Sequence, residues 1–427
     1  MELEDDSVGR VIVEPAAPRH GTQPSDSTAR SARHKRRAQR RRDYDVVFYT
    51  PWIGAILSTG GWVHPGGAET QVLMLAQALV LRGLRVAIVA FGEPTQLPSQ
   101  VEGVTIVPRP VHKRCPRLID KCVEVLRVWQ SLWRVPSPTI VYRTAGFELG
   151  VIALYARLAR RRLVFASAQT ADFQHERVQG RHLRLLVYKL GVRLADTIVV
   201  QTDEQIDLCE TTFGRTPALI KSIAPLAEPQ VDVPTAFLWV GRLVTYKRPL
   251  EYIALAQAFP EAEFWMIGIP SPWTHQDDQV LAESVARQAR DVPNLQLLPT
   301  RPHAQIGPLM GRAVASVNTA DFEGMPNVLL EAWSRGVPAL VLTHDPDGVV
   351  EKYGLGGVAG GSFEKFVELA RQMWADRHDR DGLLERCRTY IASQHAPEIV
   401  AEQWARIIMA PRQRANRAIE AKVTSAA

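Results

Sequence analysis

Short apolar runs that alternate with helical patterns constrain the fold of this chain more than any other feature of its sequence. Each run has the length of a buried strand, and the segments between the runs repeat apolar residues at helical spacing. Such alternation is typical of βαβ units, which build parallel sheets covered by helices. The predicted strands are 45–49, 85–91, 104–107, 139–143, 163–167 and 197–201, followed by 237–240, 263–267, 295–298, 315–318 and 339–342.

A stretch without periodicity separates the two series of predicted strands. It reads APLAEPQVDVP and contains Pro225, Pro229 and Pro234, a composition that is typical of a linker. A chain of 427 residues is also longer than one hydrophobic core usually serves. The sequence therefore predicts an α/β protein with two similar parallel sheets on either side of a cleft. The expected parts are a tail over 1–42, a first domain over 43–228, a second domain over 229–396, and a last helix with a tail over 397–427.

The motif EGMPNVLLEAW places Glu323 and Glu331 around the start of a predicted helix. Pro326 suits the first helical position, where its missing N–H costs nothing. The first free N–H groups of this helix would be those of Asn327, Val328 and Leu329. Such groups and the helix dipole favour an anion such as a diphosphate, while the two carboxylates can accept hydrogen bonds from sugar and ribose hydroxyls. Taken alone, the motif is better explained as an amphipathic helix with two solvated glutamates.

A basic pair follows the first predicted strand of the second half. In FLWVGRLVTYKRP, the apolar strand leads into Gly241 and Arg242, and Lys247 comes five residues later. Ligands of open parallel sheets dock at the carboxyl ends of strands. Arg242 can hold phosphate with two parallel hydrogen bonds, and Lys247 can add a point charge. Either residue alone is more readily explained as surface charge, but together with the glutamate motif they indicate a site for a diphosphate.

These residues resemble those of nucleotide-sugar-dependent glycosyltransferases of the GT-B fold, in the retaining family 4 group. Three segments carry the resemblance: GGAETQVLMLAQALVLRGLRVAIVAFG, VGRLVTYK, and the glutamate motif with the SRGVPALVL that trails it. The resemblance spans about Asp43 to Arg412. It implies two Rossmann-like domains, with the acceptor bound by the first and the donor by the second, and a last helix near 397–408 that crosses back to the first domain.

The resemblance also implies a role for each motif residue of the second domain. Arg242 and Lys247 would stabilise the charge that builds on the departing diphosphate. Glu323 would orient the donor sugar. The residues expected to bind the donor are Gly241, Asn327, Val328, Leu329 and Glu331, the last through the ribose.

The reaction implied by the resemblance moves a glycosyl group from a nucleoside diphosphate sugar to a glycan or lipid-linked acceptor, with retention at the anomeric carbon. The departing β-phosphate would help to remove the acceptor proton, and neither a cofactor nor a metal is required. Synthesis of a cell-surface polysaccharide or glycolipid is the role expected from the family. The alternatives are a nucleotide-sugar epimerase on the same fold, and a binding protein without catalysis whose basic tail contacts membrane or nucleic acid.

Candidate residues on the acceptor side are less specific. Gly66 and Gly67 alone indicate a turn before a helix, but the resemblance places them across the cleft, beside the donor phosphates and the acceptor. His64, in the aromatic tract WIGAILSTGGWVHP, is a candidate for the acceptor pocket or for local packing. Arg143, at the end of the fourth predicted strand, is either an acceptor or phosphate contact or an interdomain charge.

The sequence departs from the family after the fifth predicted strand. Where many members place a histidine near the reacting sugar, FASAQTADFQHE has Ala168 or Gln169, and His175 follows later. Asp172, between them, can hold a sugar hydroxyl at the exit of the strand, or it can cap a helix.

The basic excess of the chain is concentrated in residues 1–42. The net charge is +6, and this tail holds ten Lys or Arg against six Asp or Glu. The stretch ARSARHKRRAQRRR has few apolar side chains, so we expect it to be disordered in solution. It can be attracted to anionic lipid, bind nucleic acid non-specifically, or serve as a solubilising leader. An anionic membrane surface is the expected partner, and no specific nucleic acid is expected.

The sequence predicts neither a membrane span nor secretion. No apolar run approaches the roughly 18 residues of a span, and MELEDDSVGR lacks the apolar stretch of a signal peptide. The four cysteines have neither metal-ligand spacing nor the pattern of a disulfide framework. We therefore expect a cytoplasmic protein that can lie at the inner face of the plasma membrane.

Overall fold

The alternating strands and helices build two separate sheets. The computed structural model describes residues 43–58, 66–110, 118–174, 182–229, 233–270, 276–302 and 305–411. The predicted tail over 1–42 lies outside the described residues. The prediction of an α/β fold with two parallel-dominated sheets is confirmed.

Eight strands of the described chain form the first sheet. They are β1 (Val46–Tyr49), β2 (Val86–Phe91), β3 (Gln100–Val101), β4 (Val104–Arg109), β5 (Thr139–Arg143), β6 (Arg162–Ala166), β7 (Thr197–Val200) and β8 (Ala218–Leu219). Their order across the sheet is β3-β4-β2-β1-β5-β6-β7-β8. Neighbouring strands are parallel, except that β3 runs antiparallel to β4.

Six strands form the second sheet, and every pairing in it is parallel. They are β9 (Ala236–Arg242), β10 (Phe264–Ile269), β11 (Leu295–Leu297), β12 (Ala313–Asn318), β13 (Ala339–Val341) and β14 (Gly356–Val358). Their order is β11-β10-β9-β12-β13-β14. The order reverses at β9 and β12, the place where open parallel sheets bind ligands.

The helices of the first part are α1 (Gly54–Leu57), α2 (Gly67–Leu81), α3 (Leu118–Arg134), α4 (Glu148–Leu158), α5 (His182–Leu194) and α6 (Asp203–Phe213). Those of the second part are α7 (Pro249–Ala258), α8 (Gln276–Arg290), α9 (Ile306–Gly311), α10 (Asn327–Ser334), α11 (Val349–Lys352), α12 (Phe363–Ala375), α13 (Asp381–Gln394) and α14 (Pro397–Met409). Within the described residues, none of these helices combines the length and the apolar composition that crossing a bilayer requires.

Helices cover both faces of the first sheet, which explains why its strands are apolar throughout. In β1, Val46 and Phe48 belong to one buried cluster, whereas Val47 and Tyr49 belong to another. Successive side chains of a strand point to opposite faces, so the two clusters lie on the two sides of the sheet. A strand buried on both sides reads as a continuous apolar run rather than as an alternation.

The last helix packs against the first sheet, although it follows the second one in the sequence. Val400, Ala401 and Trp404 of α14 join the cluster that contains Val72 and Leu75 of α2. The hydroxyl of Thr139, at the start of β5, donates a hydrogen bond to the carbonyl of Ile408 (3.0 Å). The sheets divide between β8 and β9, and the domain limits at residues 228 and 396 stay predictions.

His395, just after α13, contacts the segment that follows β8. Its Nδ1 lies 2.6 Å from the carbonyl oxygen of Ser222, and its Nε2 lies 3.2 Å from the Tyr390 hydroxyl. A carbonyl can only accept, so Nδ1 carries the proton and Nε2 accepts from Tyr390. The ring is completely buried, and this burial lowers the pKa of His395 to about 4.

The pKa of His395 predicts a loss of stability in mild acid. The unfolded chain takes up the proton at the ordinary pKa of 6.5, and the folded protein takes it up only near 4. The stability conferred by the neutral ring is therefore complete above pH 6.5 and is lost as the pH falls towards 4, by about 3 kcal/mol in all.

His395→Asn keeps a donor near Ser222 but cannot titrate, so its urea midpoint is expected to change less than that of the wild type between pH 7 and 5. His378→Asn, at an exposed histidine, is the matched control and should follow the wild type. Parallel pH profiles for all three proteins would contradict the prediction.

Candidate active site

The turn after β9 brings Lys247 to the glutamate motif. β9 runs through Gly241 to Arg242, two residues further than the sequence predicted, and a 3₁₀ turn then spans Thr245–Lys247. Lys247 Nζ forms an ion pair with Glu323 Oε1, and the two side chains are only 16 and 14% exposed. The Thr319 hydroxyl, just after β12, donates to the Lys247 carbonyl (2.7 Å) and fixes the turn. A buried lysine and a buried carboxylate thus meet at the carboxyl ends of β9 and β12.

Arg242 lies beside this pair and is held by an aromatic stack. Its Nη2 donates to the Tyr246 hydroxyl (3.1 Å), and the Tyr246 ring stacks on Phe322 with 4.8 Å between ring centroids. Phe322 immediately precedes Glu323. The stack therefore ties the basic turn to the glutamate loop, and both motif cations lie at one edge of the second sheet.

Helix α10 begins one residue later than predicted, and this corrects two details of the donor site. Pro326 is the N-cap, with ψ at 120°, rather than the first helical residue. Its carbonyl accepts from the N–H of Leu329 (3.1 Å), so the prediction that Leu329 has a free N–H is wrong. The N–H groups of Asn327 and Val328 precede that bond, in the first turn of the helix, where a helix lacks internal acceptors.

The glycine pair of the first part meets the start of α10. Asn327 Nδ2 donates to the carbonyl of Gly67 (2.8 Å). A Cβ atom on Gly67 would lie only 2.7 Å from the same Nδ2. A side chain at this position would displace the Asn327 amide, so glycine permits the close approach, and the role of Gly67 beside a ligand stays a prediction. Gly66 precedes it as the extended N-cap of α2.

One turn into α2, Gln71 holds three segments together. Its Oε1 accepts from the N–H of Ile223 (2.8 Å), and its Nε2 donates to the carbonyl of Ile223 (2.8 Å) and to Asn327 Oδ1 (3.1 Å). The Asn327 side chain is thereby fixed with its nitrogen towards Gly67. Sequence reasoning missed Gln71; the signal was a polar residue next to Val72 on the apolar stripe of a helix.

Two charged residues of the first part extend the site across the cleft. Burial raises the pKa of Glu69, in the first turn of α2, while the charges of Arg242 and Arg143 oppose this rise. Burial also lowers the pKa of Arg143 to about 10, against the charges of Asp172 and Glu69. Arg143 is thus a buried member of a charge cluster. Sequence analysis missed Glu69, although it lies two residues after the glycine pair.

The loop after β6 touches the glutamate loop directly. The Thr170 hydroxyl donates to the carbonyl of Glu323 (2.7 Å), and a Cβ atom on Gly324 would lie 3.0 Å from the Ala168 carbonyl oxygen. The segment in which the family has its histidine therefore borders the site, with Ala168 and Gln169 there. His175 and His64 lie outside the described residues.

Asp172 takes the capping role that the sequence analysis gave as its alternative. Its Oδ2 accepts from the N–H groups of Ala168 (2.7 Å) and Gln169 (3.3 Å) and from the Ser167 hydroxyl (3.1 Å). Its side chain is buried, and it completes a capping box for the 3₁₀ turn Thr170–Phe173. The buried carboxylate therefore stabilises the conformation of the loop that lies beside Glu323.

Glu331 is half-buried, one turn into α10. Burial lowers the pKa of Arg335, and the negative charge of Glu331 opposes this shift. The two glutamates of the motif thus have different surroundings, since Glu323 pairs with Lys247 and Glu331 neighbours an arginine of its own helix.

The described residues contain no group of three or more His, Cys, Asp or Glu side chains placed to hold a metal ion. Asp345 and Asp347 have Asp-x-Asp spacing, but both carboxylates act as caps. Asp345 accepts from the N–H groups of Val350 and Glu351, and Asp347 accepts from that of Asp203 and pairs with Lys221 (3.0 Å).

Comparison with known sequences finds a match to a described family over part of the chain. Residues 66–225 match the family described as a glycosyl transferase 4-like domain. Glycosyltransferase 1 domain-containing protein 1 of Xenopus tropicalis is 21% identical over 132 residues, which are 31% of this chain. The match spans only 38% of the length of that curated relative.

Solved structures extend the likeness to most of the chain. Sucrose-phosphate synthase from Thermosynechococcus elongatus is similar with a TM-score of 0.69 and 14% identity, over 85% of this chain and 97% of that one. Anabaena HepE in complex with UDP and glucose has a TM-score of 0.65 and 16% identity, over 85 and 98%. The α,α-trehalose-phosphate synthase (UDP-forming) from Burkholderia vietnamiensis has a TM-score of 0.63 and 12% identity, over 85 and 99%.

Removing the Gln71 amide tests the junction that it forms. Gln71→Ala leaves the buried N–H and carbonyl of Ile223 without these partners and frees Asn327 from its fixed orientation. We expect a loss of about 3 kcal/mol in apparent stability, measured by urea denaturation followed by tryptophan fluorescence. Gln130→Ala, at an exposed glutamine of α3, is the matched control and should cost nearly nothing. Equal midpoints for the two variants would contradict the prediction.

Proposed function

We propose that this chain, which has the fold of GT-B glycosyltransferases and matches a glycosyl transferase 4-like domain over residues 66–225, transfers a sugar from a nucleoside diphosphate sugar to a glycan or lipid-linked acceptor, with retention at the anomeric carbon. The observation that carries the proposal is the ion pair of Lys247 with Glu323, which lies at the edge of the second sheet near the start of α10. Arg242 bonds Tyr246, the residue before Lys247, and the carbonyl of Gly67 accepts from Asn327 at the start of α10.

The donor diphosphate binds between these cations and the first turn of α10. Lys247 and Arg242 balance its charge, and the N–H groups of Asn327 and Val328 donate to its oxygens. The pairing of Lys247 with Glu323 supports this placement, because the carboxylate holds the lysine ammonium group at the strand ends, where the diphosphate is proposed to bind. From these positions Lys247 donates to the donor phosphates and Glu323 accepts from hydroxyls of the sugar. Glu331 takes the ribose.

The chemical step needs no covalent intermediate with the protein. The acceptor oxygen bonds to the anomeric carbon on the face from which the diphosphate departs, as the bond from that carbon to the β-phosphate oxygen breaks. The acceptor proton passes to an oxygen of the departing β-phosphate. Fixed positive charge at Lys247 and Arg242 stabilises the charge that develops on the leaving group, in a site that excludes most water. This scheme requires neither a cofactor nor a metal.

A uridine diphosphate sugar is the donor that we propose to test first. Among the similar structures, HepE holds UDP and glucose, and it aligns with 85% of this chain. The acceptor class and a role in cell-surface polysaccharide or glycolipid synthesis rest on the family resemblance. We also propose that the protein works in the cytoplasm, at an anionic membrane surface.

Replacement of Lys247 separates catalysis from stability. Lys247→Ala removes one fixed cation from the leaving group, so we expect kcat to fall by about 10² to 10³. Lys221→Ala is the matched control, since it also removes a largely buried lysine that pairs with a carboxylate. Both variants should lose similar stability, and only Lys247→Ala should lose turnover in a single-turnover assay of donor consumption with acceptor present.

If Lys247→Ala turned over as fast as the wild type, Lys247 would not be the residue that stabilises the leaving group. Conversion of the donor to its epimer without any acceptor would favour the epimerase instead.

Ligand binding identifies the donor without knowledge of the acceptor. A donor that binds the folded protein raises its melting temperature by mass action. In a panel of nucleotide sugars at about 1 mM, measured with and without EDTA, we expect the nucleotide sugars of one base to shift the melting temperature of the wild type in both conditions. Arg242→Ala should reduce that shift, whereas Arg371→Ala, at an exposed arginine of α12, should preserve it. A shift that disappears in EDTA would contradict the metal-free scheme.

A further inference from the structure

Three neighbouring helices of the first part expose an unusual amount of apolar surface. Seven of their large apolar side chains are 48 to 76% exposed: Leu126, Trp133, Leu154, Leu158, Leu183, Leu186 and Leu190. In the described part of the chain, seven large apolar side chains are more than 60% exposed, and five of them lie on these helices. The exposure is therefore concentrated on one part of the surface. We call this part, formed by α3, α4 and α5, the α3–α5 face.

Direct contacts show that the three helices are adjacent. Trp129 of α3 donates from Nε1 to the carbonyl of Val151 in α4 (3.1 Å). At the crossing of α4 with α5, a Cβ atom on Gly191 would lie 2.6 Å from the Gly150 nitrogen. Two glycines thus let these backbones pack closely, and the outward side chains of α4 and α5 form one surface.

The exposed apolar residues continue the stripes along which the helices touch. Leu154 and Leu158 follow Gly150 at intervals of four residues, so they lie along the side of α4 that meets α5. Trp133 follows Trp129 by one turn in the same way. On α5, Leu183, Leu186 and Leu190 have the spacing of a single helix face.

Basic residues accompany this apolar surface, and acids are scarce on it. Exposed arginines lie on α4, just after it and on α5: Arg157, Arg160, Arg184 and Arg193. The sequence of α5, HLRLLVYKLGVRL, contains no acid at all. On α3, Glu124 is engaged with Arg109. A surface that combines exposed leucines, a tryptophan and arginines matches the chemistry of an anionic bilayer interface, where apolar groups enter the headgroup region and cations meet lipid phosphates.

We propose that the α3–α5 face docks on an anionic lipid bilayer. The leucines and Trp133 lie in the interfacial region, and the arginines contact the lipid headgroups. The described helices alone form this surface, so the proposed docking invokes neither the basic tail over 1–42 nor the proposed transfer reaction.

Vesicle flotation of the full chain tests the proposal. The wild type is mixed with vesicles of phosphatidylcholine alone, or of phosphatidylcholine with 30% phosphatidylglycerol, and should float only with the second. Leu186→Glu combined with Leu190→Glu should lower the partition coefficient about tenfold or more, because both charges enter the interface. Leu81→Glu, at the most exposed leucine of the described chain, on α2, should bind like the wild type.

Arg40→Gln combined with Arg41→Gln and Arg42→Gln lowers the net charge of the tail from +4 to +1 in the full chain, and it should cost less binding than the double variant does. Equal melting temperatures establish that all variants are folded. Any of the following overturns the proposal: a wild type that does not float, equal binding to phosphatidylcholine alone, wild-type binding by the double variant, or an equal loss in Leu81→Glu. A dimer in light scattering that only the double variant abolishes, without vesicle binding, would assign the face to a second copy of the chain.

Discussion

The ion pair between Lys247 and Glu323 is the interaction on which the arrangement of the site depends. It joins the turn after β9 to the loop after β12, and both side chains are largely removed from water. Two buried charges gain little net stability from each other, because desolvation offsets their attraction. Losing one partner, by contrast, leaves the other charge buried alone. The main effect of the pair is therefore to position its two side chains rather than to stabilise the fold, since it keeps a cation and an acceptor preorganised at the strand ends.

The neighbouring contacts make this arrangement rigid. Arg242 donates a hydrogen bond to Tyr246, whose ring stacks on Phe322. Thr170 of the first part donates a hydrogen bond to the carbonyl of Glu323. The site is thus assembled from both sheets. A ligand bound there would contact groups that are already in place, and little conformational entropy would be lost on binding.

Local patterns predicted the fold and the motif residues, but not the contacts between distant segments. Apolar runs predicted most strands, whereas β3 and β8 were missed because two residues carry no periodicity, and β14 was missed because two of its three residues are glycines. Gln71 and Glu69 were missed because their partners lie elsewhere in the chain, where sequence spacing gives no information. Pro326 was placed one residue too far into its helix, since proline fits the N-cap and the first turn almost equally.

The hydrogen bonds of the Gln71 amide also bear on the turnover rate of the protein. It bonds Ile223, just before the linker, and Asn327 of the second part, which in turn bonds Gly67. Separation of α2 from α10 must break the two bonds of Asn327, to Gln71 and to Gly67, together, and so opening is a cooperative event with a barrier of its own. If a nucleotide can leave only through the widened cleft, that barrier sets an upper limit on the turnover rate, however fast the bond-breaking step is.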